Sequence, residues 1–516
     1  MRDDDEFMQP GHVGNNDADR LIAYVEQAIK EETASAEGGN QALNDATFAL
    51  ATLGAALRGL DPELLPQERV RDLMNRVVDG WTEFKGGSEQ MQRHTIESAL
   101  KAGWAKPRDL DTIIAAVTQD AGPVQPTPIS VSPPLIATPC SLDQCHTVFR
   151  KWLGDEYDMD SLNAVLAAAA VERLDGDPLW LLVVSGPGHT KTETVAPLQG
   201  AGALVVSAIA SEGALLSATG KRDRAKDATG GLLRQLGSRG TLVIKDMTTI
   251  LSMNRDTRAQ VLAALREIYD GHWVRDVGTD GGRRLTWQGR ICVVGAVTSA
   301  WDRAHAVIST MGDRFVLVRT NSAEHRRAIG RRAVGNTGNE VEMRAALSDA
   351  AGGVLAGIDE NSGITVTEDE TERLLAAADV VTLARTSVEY DYQGRVIDAD
   401  MPEAPTRFAK QLTQVLRGAV AIGMNRAGAL RVAIRCAKDS VPPLRLAILL
   451  DLAEHPHSST TDVRKRLEKP HNTVDRQIQA LQMLGLVWTE ECGESAGGKT
   501  VWRYGVTENY DPNAFS

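Results

Sequence analysis

Five short, nearly uninterrupted apolar runs lie between Cys145 and Arg319: Leu179–Val184, Leu204–Ala210, Leu242–Ile244, Ile291–Val297 and Phe315–Val318. Helical stretches separate them. A strand that is apolar on both faces must be covered on both faces, which is the situation of a parallel strand layered between helices. The pattern predicts an α/β domain in the middle of the chain.

At 516 residues and 55.6 kDa, the chain is too long for one core. At about 150 residues per domain it should hold roughly three to four. Residues 1–16 are polar and read as a disordered tail. Residues 17–112 carry apolar positions at helical spacing, such as Leu21, Ile22, Val25 and Ile29. Six prolines (Pro123, Pro126, Pro128, Pro133, Pro134 and Pro139) load the segment 113–146, which reads as a linker. The α/β domain spans 147–325 and a helical segment 326–440. Pro442 and Pro443 mark the boundary before a final compact unit, 441–516.

Composition bounds the partners. The net charge of −13 argues against a generally basic coat for nucleic acid, but local basic sites remain open. Five cysteines are an odd, sparse set, which suggests a reducing cytoplasm and no disulfide framework. Cys140, Cys145 and His146 leave a zinc site one ligand short. No apolar run is long enough to span a bilayer, and the acidic start MRDDDEF is no signal peptide, so no membrane is expected.

The first run leads into Ser185, Gly186, Pro187, Gly188, His189, Thr190, Lys191 and Thr192. A strand, a Gly-rich turn, then Lys-Thr opening a helix is P-loop geometry, which cradles phosphates on backbone N–H groups. Lys191 would reach the β- and γ-phosphates of ATP, and the Thr192 hydroxyl would bind Mg²⁺. The match departs from the motif at Ser185 and Thr190, where glycine is usual. The run Leu242–Ile244 ends at Lys245 and Asp246. On a strand neighbouring the loop, Asp246 would hold Mg²⁺ or orient the attacking water. An Asp-Glu pair is usual there, and this chain keeps one carboxylate, as Lys245-Asp246 or Asp246-Met247.

The order of features from Phe149 to Arg319 resembles the AAA+ ATPases, and within them the minichromosome maintenance and related phage replication helicases. After the loop come a basic insert, Lys221–Lys226, and the segment Gly240–Met247. A helix Arg258–Tyr269 then runs into His272–Trp287, where Asp280, Gly281 and Gly282 signal a hairpin turn. This hairpin resembles the pre-sensor hairpin of that clade, which implies DNA contact by Arg283 and Arg284 beside its tip. Thr298 resembles the sensor-1 position. Arg314, in Gly312–Phe315, resembles the arginine finger that reaches a neighbouring subunit. Arg407, opening the helix Phe408–Arg417, resembles the sensor-2 position of a helical lid. Gly39–Asn44, Thr95–Gly103 and Pro107-Arg108 resemble the small helical region that follows the catalytic part of phage and plasmid primase-polymerases.

The final unit reads as helix, helix, helix, hairpin. Ser458, Ser459 and Thr460 are N-cap candidates for Asp462–Leu467. The string Asn472–Val487 resembles the recognition helix of a winged helix-turn-helix, ending at Gly485, with Gly493–Lys499 as the wing tip. The combined architecture resembles actinobacterial and phage proteins described as ArsR-like. Groove contacts would then fall to His471, Asn472, Thr473, Arg476 and Gln477, with Lys499 on the wing.

The expectation is an α/β chain: an AAA+ P-loop core with a helical lid, preceded by a small all-α domain and followed by a winged helix. It would use ATP and Mg²⁺, act on DNA as a homo-oligomer (a hexameric ring), and work with a partner primase or replication initiator. The alternative is an ATP-binding winged-helix regulator with weak or no helicase activity.

Overall fold

The computed structural model describes residues 15–36, 39–58, 64–81, 88–108, 137–186, 191–217, 229–278, 283–302, 314–320, 326–360, 363–494 and 500–515. The chain divides into two units, Met1–Ile129 and Ser130–Ser516. Among the described residues no helix is long and apolar enough to cross a membrane.

The first unit contains four helices: α1 (Asn15–Ala36), α2 (Asn40–Leu57), α3 (Gln67–Asp79) and α4 (Glu89–Trp104). Val25, Leu43, Leu50, Val70, Met74, Ile96 and Leu100 close its core. The spacing of three and four residues puts each helix's apolar side inward. Ser88 caps α4 by accepting from the Met91 amide.

The second unit opens with α5 (Leu142–Leu153) and α6 (Met159–Ala170). α5 begins inside the segment expected to be linker. A Ser141/Gln144 capping box starts it, and the Cys140 amide donates to the Gly353 carbonyl. The close of that segment is therefore packed structure. Cys145 is buried in the core and its thiol is pushed up to about 12 by burial. His146 Nε2 lies 2.7 Å from Asn163 Oδ1. Among the described residues no group of three His, Cys, Asp or Glu could hold a metal ion.

The strands follow: β1 (Trp180–Val184), β2 (Leu204–Val206), β3 (Arg239–Ile244), β4 (His272–Val277), β5 (Arg283–Gln288), β6 (Arg290–Val297) and β7 (Val316–Arg319). Between them lie α7 (Lys191–Val195), α8 (Glu212–Leu215), α9 (Leu232–Leu236), α10 (Thr248–Ser252) and α11 (Arg255–Tyr269). Five strands form one parallel sheet in the order β2-β3-β6-β1-β7. Alternate residues point to opposite faces. Leu181, Val183, Val294 and Val316 enter one core, and Trp180, Leu182, Val293 and Leu317 the other. That two-sided burial is why the runs read as continuously apolar. β4 and β5 pair antiparallel outside this sheet, with Val277 opposite Arg283. Trp273, Leu285 and Trp287 seat this hairpin on the second core.

After β7 come α12 (Arg326–Gly335), α13 (Glu340–Ala356) and α14 (Glu368–Ala384). A hairpin, β8 (Val388–Tyr390) and β9 (Val396–Ala399), interrupts the expected all-helical segment. Then come α15 (Thr406–Ala421) and α16 (Arg426–Ser440). α15 runs so close to α6 that a Cβ on Gly418 would lie 2.2 Å from the Ala167 carbonyl oxygen.

The last elements are α17 (Pro443–Glu454), α18 (Thr460–Arg466), α19 (His471–Met483), β10 (Val487–Glu494) and β11 (Thr500–Val506). β10 and β11 pair antiparallel. The element order matches the expected one, but this segment does not keep a core to itself. Leu449, Val463, Ile478 and Tyr504 belong to the same apolar cluster as Phe408, Val432 and Leu181. Pro442 and Pro443 mark a helix boundary here and not a separate body.

Candidate functional site

The site is built from the C-terminal edge of the parallel sheet. Where β1 ends, the Ser185 amide donates to the Val297 carbonyl and the Thr320 amide to the Val184 carbonyl. The ends of β1, β6 and β7 are thus stitched together. Ser185 is buried, and Gly186 follows it. Pro187, Gly188, His189 and Thr190 lie outside the described residues.

Lys191 turns back over the start of its own loop. Its Nζ donates to the Ser185 carbonyl at 3.2 Å and to the Gly186 carbonyl at 2.7 Å. Burial pushes its pKa below the usual lysine value, and the Asp246 carboxylate opposes that shift. The electrostatic link brings Lys191 and Asp246 into one site. Thr192 is exposed beside them. Thr194 faces inward and shares a 2.9 Å hydrogen bond with the Tyr157 hydroxyl.

The helix carrying Lys191 is short. α7 is five residues long, and a 3-10 turn with Pro197 at its start replaces further α-helical turns. Proline lacks the N–H and its ring clashes with the carbonyl four residues back. A helix this short has little macrodipole to offer an anion at its start.

Asp246 lies two residues beyond β3 and is exposed, while Met247 is buried against Gly295 and Leu182. The strand end therefore presents Lys245 and Asp246 outward and keeps Met247 in the core. β3 does not adjoin the loop-bearing strand as expected, because β6 lies between them. β6 supplies Thr298 at the same edge.

A residue that sequence reasoning missed joins these two strand ends. The Thr248 amide donates to Asp246 Oδ1 at 2.9 Å. The Thr248 hydroxyl accepts from the Thr298 amide at 3.2 Å and lies 3.5 Å from the Thr298 hydroxyl. Lys191, Asp246, Thr248 and Thr298 thus form one polar group. The exposed Asp246 carboxylate and Thr192 hydroxyl are hard oxygen donors of the kind Mg²⁺ takes beside phosphates.

Behind this edge an ionic network ties α16 to the core. Arg435 Nη1 donates to Asp158 Oδ1 at 2.6 Å, and Arg435 Nη2 donates to the Arg319 carbonyl. Arg319 in turn forms a paired contact with Asp302 at 2.7 and 3.0 Å, and its amide donates to Asp439. Burial alone would raise the Asp158 pKa, but the Arg435 hydrogen bonds hold it below the usual range.

The two other arginines assigned to the site lie elsewhere. Arg314 precedes β7 and Arg407 opens α15, both at the N-terminal edge of the sheet. Arg407 lines a cavity of about 590 Å³ with Asp177, Pro178, Gly289 and Arg290, the residues leading into β1 and β6. It pairs with Glu403 at 2.9 Å. Within one chain the sheet separates Arg407 from Lys191, so the structure does not bring these two expected site residues together. Arg314 is 8% exposed, pairs with Asp270 at 3.0 Å and stacks over Tyr269. It faces inward as placed.

Of the predicted DNA contacts, Arg284 is exposed and pairs across its hairpin with Asp276 at 2.8 Å. Arg283 is placed by its backbone, opposite Val277. The basic insert Lys221–Lys226 and Lys499 lie outside the described residues. His471, Asn472 and Thr473 are exposed on the first turn of α19. Arg476 and Gln477 are already engaged by the β8–β9 hairpin.

No protein-family model matches this chain, and no curated protein matches it.

Proposed function

We propose that this chain is an ATP-dependent DNA translocase or helicase of a phage or mobile-element replication system, working as a ring. The observation that carries the reading is the convergence of Lys191, Asp246 and Thr298 on one edge of a parallel sheet, from three different strand ends. Ligands of open α/β sheets bind beyond the carboxyl ends of the strands.

In this reading ATP lies along residues 185–192. Lys191 exchanges the Ser185 and Gly186 carbonyls for β- and γ-phosphate oxygens. Mg²⁺ at Thr192 and Asp246 would neutralise phosphate charge. Thr298, held by Thr248, orients the attacking water. Arg314 would leave Asp270 to reach ATP on a neighbouring subunit, which is why a ring is required. The β4–β5 hairpin, carrying Arg283 and Arg284, would move along the DNA backbone, and the C-terminal helices would hold a duplex.

The test is ATP hydrolysis with and without forked DNA. DNA should stimulate it, and Lys191→Ala should abolish it. Hydrolysis that is absent, or that survives Lys191→Ala, overturns the reading.

A second reading is an ATP-binding, winged-helix regulator. It is favoured by Lys245 standing beside a single strand-end carboxylate, an arrangement suited to slow hydrolysis. It predicts tight binding to one specific duplex and no strand separation. A footprint that ignores sequence counts against it.

A further inference from the structure

We propose that the β8–β9 hairpin masks the reading face of α19 within the same chain, and so sets this protein's affinity for a DNA duplex. The inference rests on the reading of the C-terminal helices as a DNA contact and specifies how that contact is controlled.

The cover is built from several independent contacts. Arg476 Nη2 donates to the Gln393 carbonyl at the hairpin tip at 3.1 Å. Gly394, at φ +76°, lets the tip lie flat, since a Cβ there would stand 2.5 Å from the Arg476 guanidinium. Gln477 Nε2 donates to the Tyr390 hydroxyl at 3.4 Å, and Gln477 Oε1 accepts from Arg445 Nε at 3.0 Å. Arg445 is buried and donates to the Ala384 and Thr386 carbonyls at the hairpin root. Val388 with Val396 and Ala399 seals against Ala480 and Leu484.

Two physical arguments make this a mask. A major groove about 12 Å wide admits one helix or one two-stranded ribbon. A helix with its side chains is already about 10–12 Å across. With a ribbon along its middle, α19 cannot enter the groove beyond its first turn. The hairpin is also acidic: Glu389, Asp391, Asp398 and Asp400 stand against the single cation Arg395 within residues 388–400. Glu389 and Asp398 are directly opposed in register. Like charges facing each other across a ladder weaken it, so this pair serves something other than hairpin stability. Inner residues Val388 and Ala399 alternate with them, so the carboxylates face away from α19, toward an approaching phosphate backbone. His471, Asn472 and Thr473 remain exposed, and Arg476, though held by the Gln393 carbonyl, still reaches solvent, with Arg464, Lys465 and Lys469 nearby in sequence, for weaker contact in the masked state.

The test is duplex binding by fluorescence anisotropy at fixed salt, on the full chain, with labelled B-form DNA of mixed sequence. Gly394→Val strains the turn at its positive φ and displaces the Arg476 guanidinium from the hairpin tip. Tyr390→Ala removes the hairpin's hold on Gln477 without changing charge, and serves if Gly394→Val fails to fold by circular dichroism. Each folded variant should bind roughly tenfold tighter than the wild type. Adding Arg476→Ala should cancel the gain. Folded variants that bind no tighter than a binding-competent wild type overturn the mask alone. A gain that Arg476→Ala leaves intact overturns it too, because the gain would then not come from uncovering α19. If neither wild type nor any variant binds duplex, the mask and the DNA reading both fall.

Discussion

Lys191 and Thr248 show what a single side chain does at this sheet edge. The ammonium of Lys191 spends two hydrogen bonds on its own loop, so any anionic ligand would have to compete with two carbonyls. Thr248 joins Asp246 to Thr298 through its amide and hydroxyl. Removing a half-buried hydrogen-bond partner costs about 1–1.5 kcal/mol, and about 1.4 kcal/mol is tenfold in rate. Thr248→Val should therefore lower kcat for ATP hydrolysis by roughly tenfold while leaving KM nearly unchanged. Thr248→Ser should restore the rate. An unchanged kcat in Thr248→Val would show that the hydroxyl plays no part in hydrolysis. The strand-end residues were legible because each follows directly on an apolar run, and the lysine because it closes the Gly-rich turn after one. Thr248 was not, since its partners lie 2 and 50 residues away and only the strand pairing brings them together. The Asp158–Arg435 pair, 277 residues apart, left no trace in the sequence at all.

Among the elements, the two hairpins contrast. β4–β5 was legible from Asp280, Gly281 and Gly282, which tolerate the backbone of a tight turn. β8–β9 carries the same kind of signal, an alternation of apolar and charged residues with Gly394 at its turn, but it lies within a long helical stretch that hid it. The helices after β7 meet the core by close backbone approach. Gly418 brings α15 against α6, where a Cβ would stand 2.2 Å from the Ala167 carbonyl. Overpacking at such a contact costs about 1–3 kcal/mol. Gly418→Ala should lower the melting temperature measurably, with little change in chemistry at the opposite edge of the sheet. A melting temperature equal to that of the wild type would mean that the helices can separate without cost.

At the scale of the whole molecule, the apolar clusters define the cooperative bodies. Among the described residues the cluster of Met1–Ile129 is separate from those of Ser130–Ser516, whereas the helices after β7 and the C-terminal helices share one. Calorimetry of the intact chain should resolve two unfolding transitions, the smaller from the first unit. A third transition, separating residues 441–516 from the lid, would contradict the continuous core. Residues 130–516 form one unit despite Pro442 and Pro443, because proline marks where a helix stops and not where packing stops. The sequence by itself determined the parallel sheet, since strands buried on both faces must be apolar throughout, and the loop and strand ends that follow from it. Only the tertiary structure decided which strand ends meet, which arginines stand on the far edge, and that an acidic hairpin lies along α19. Those depend on strand order and on contacts between residues far apart in the chain, which no local pattern encodes.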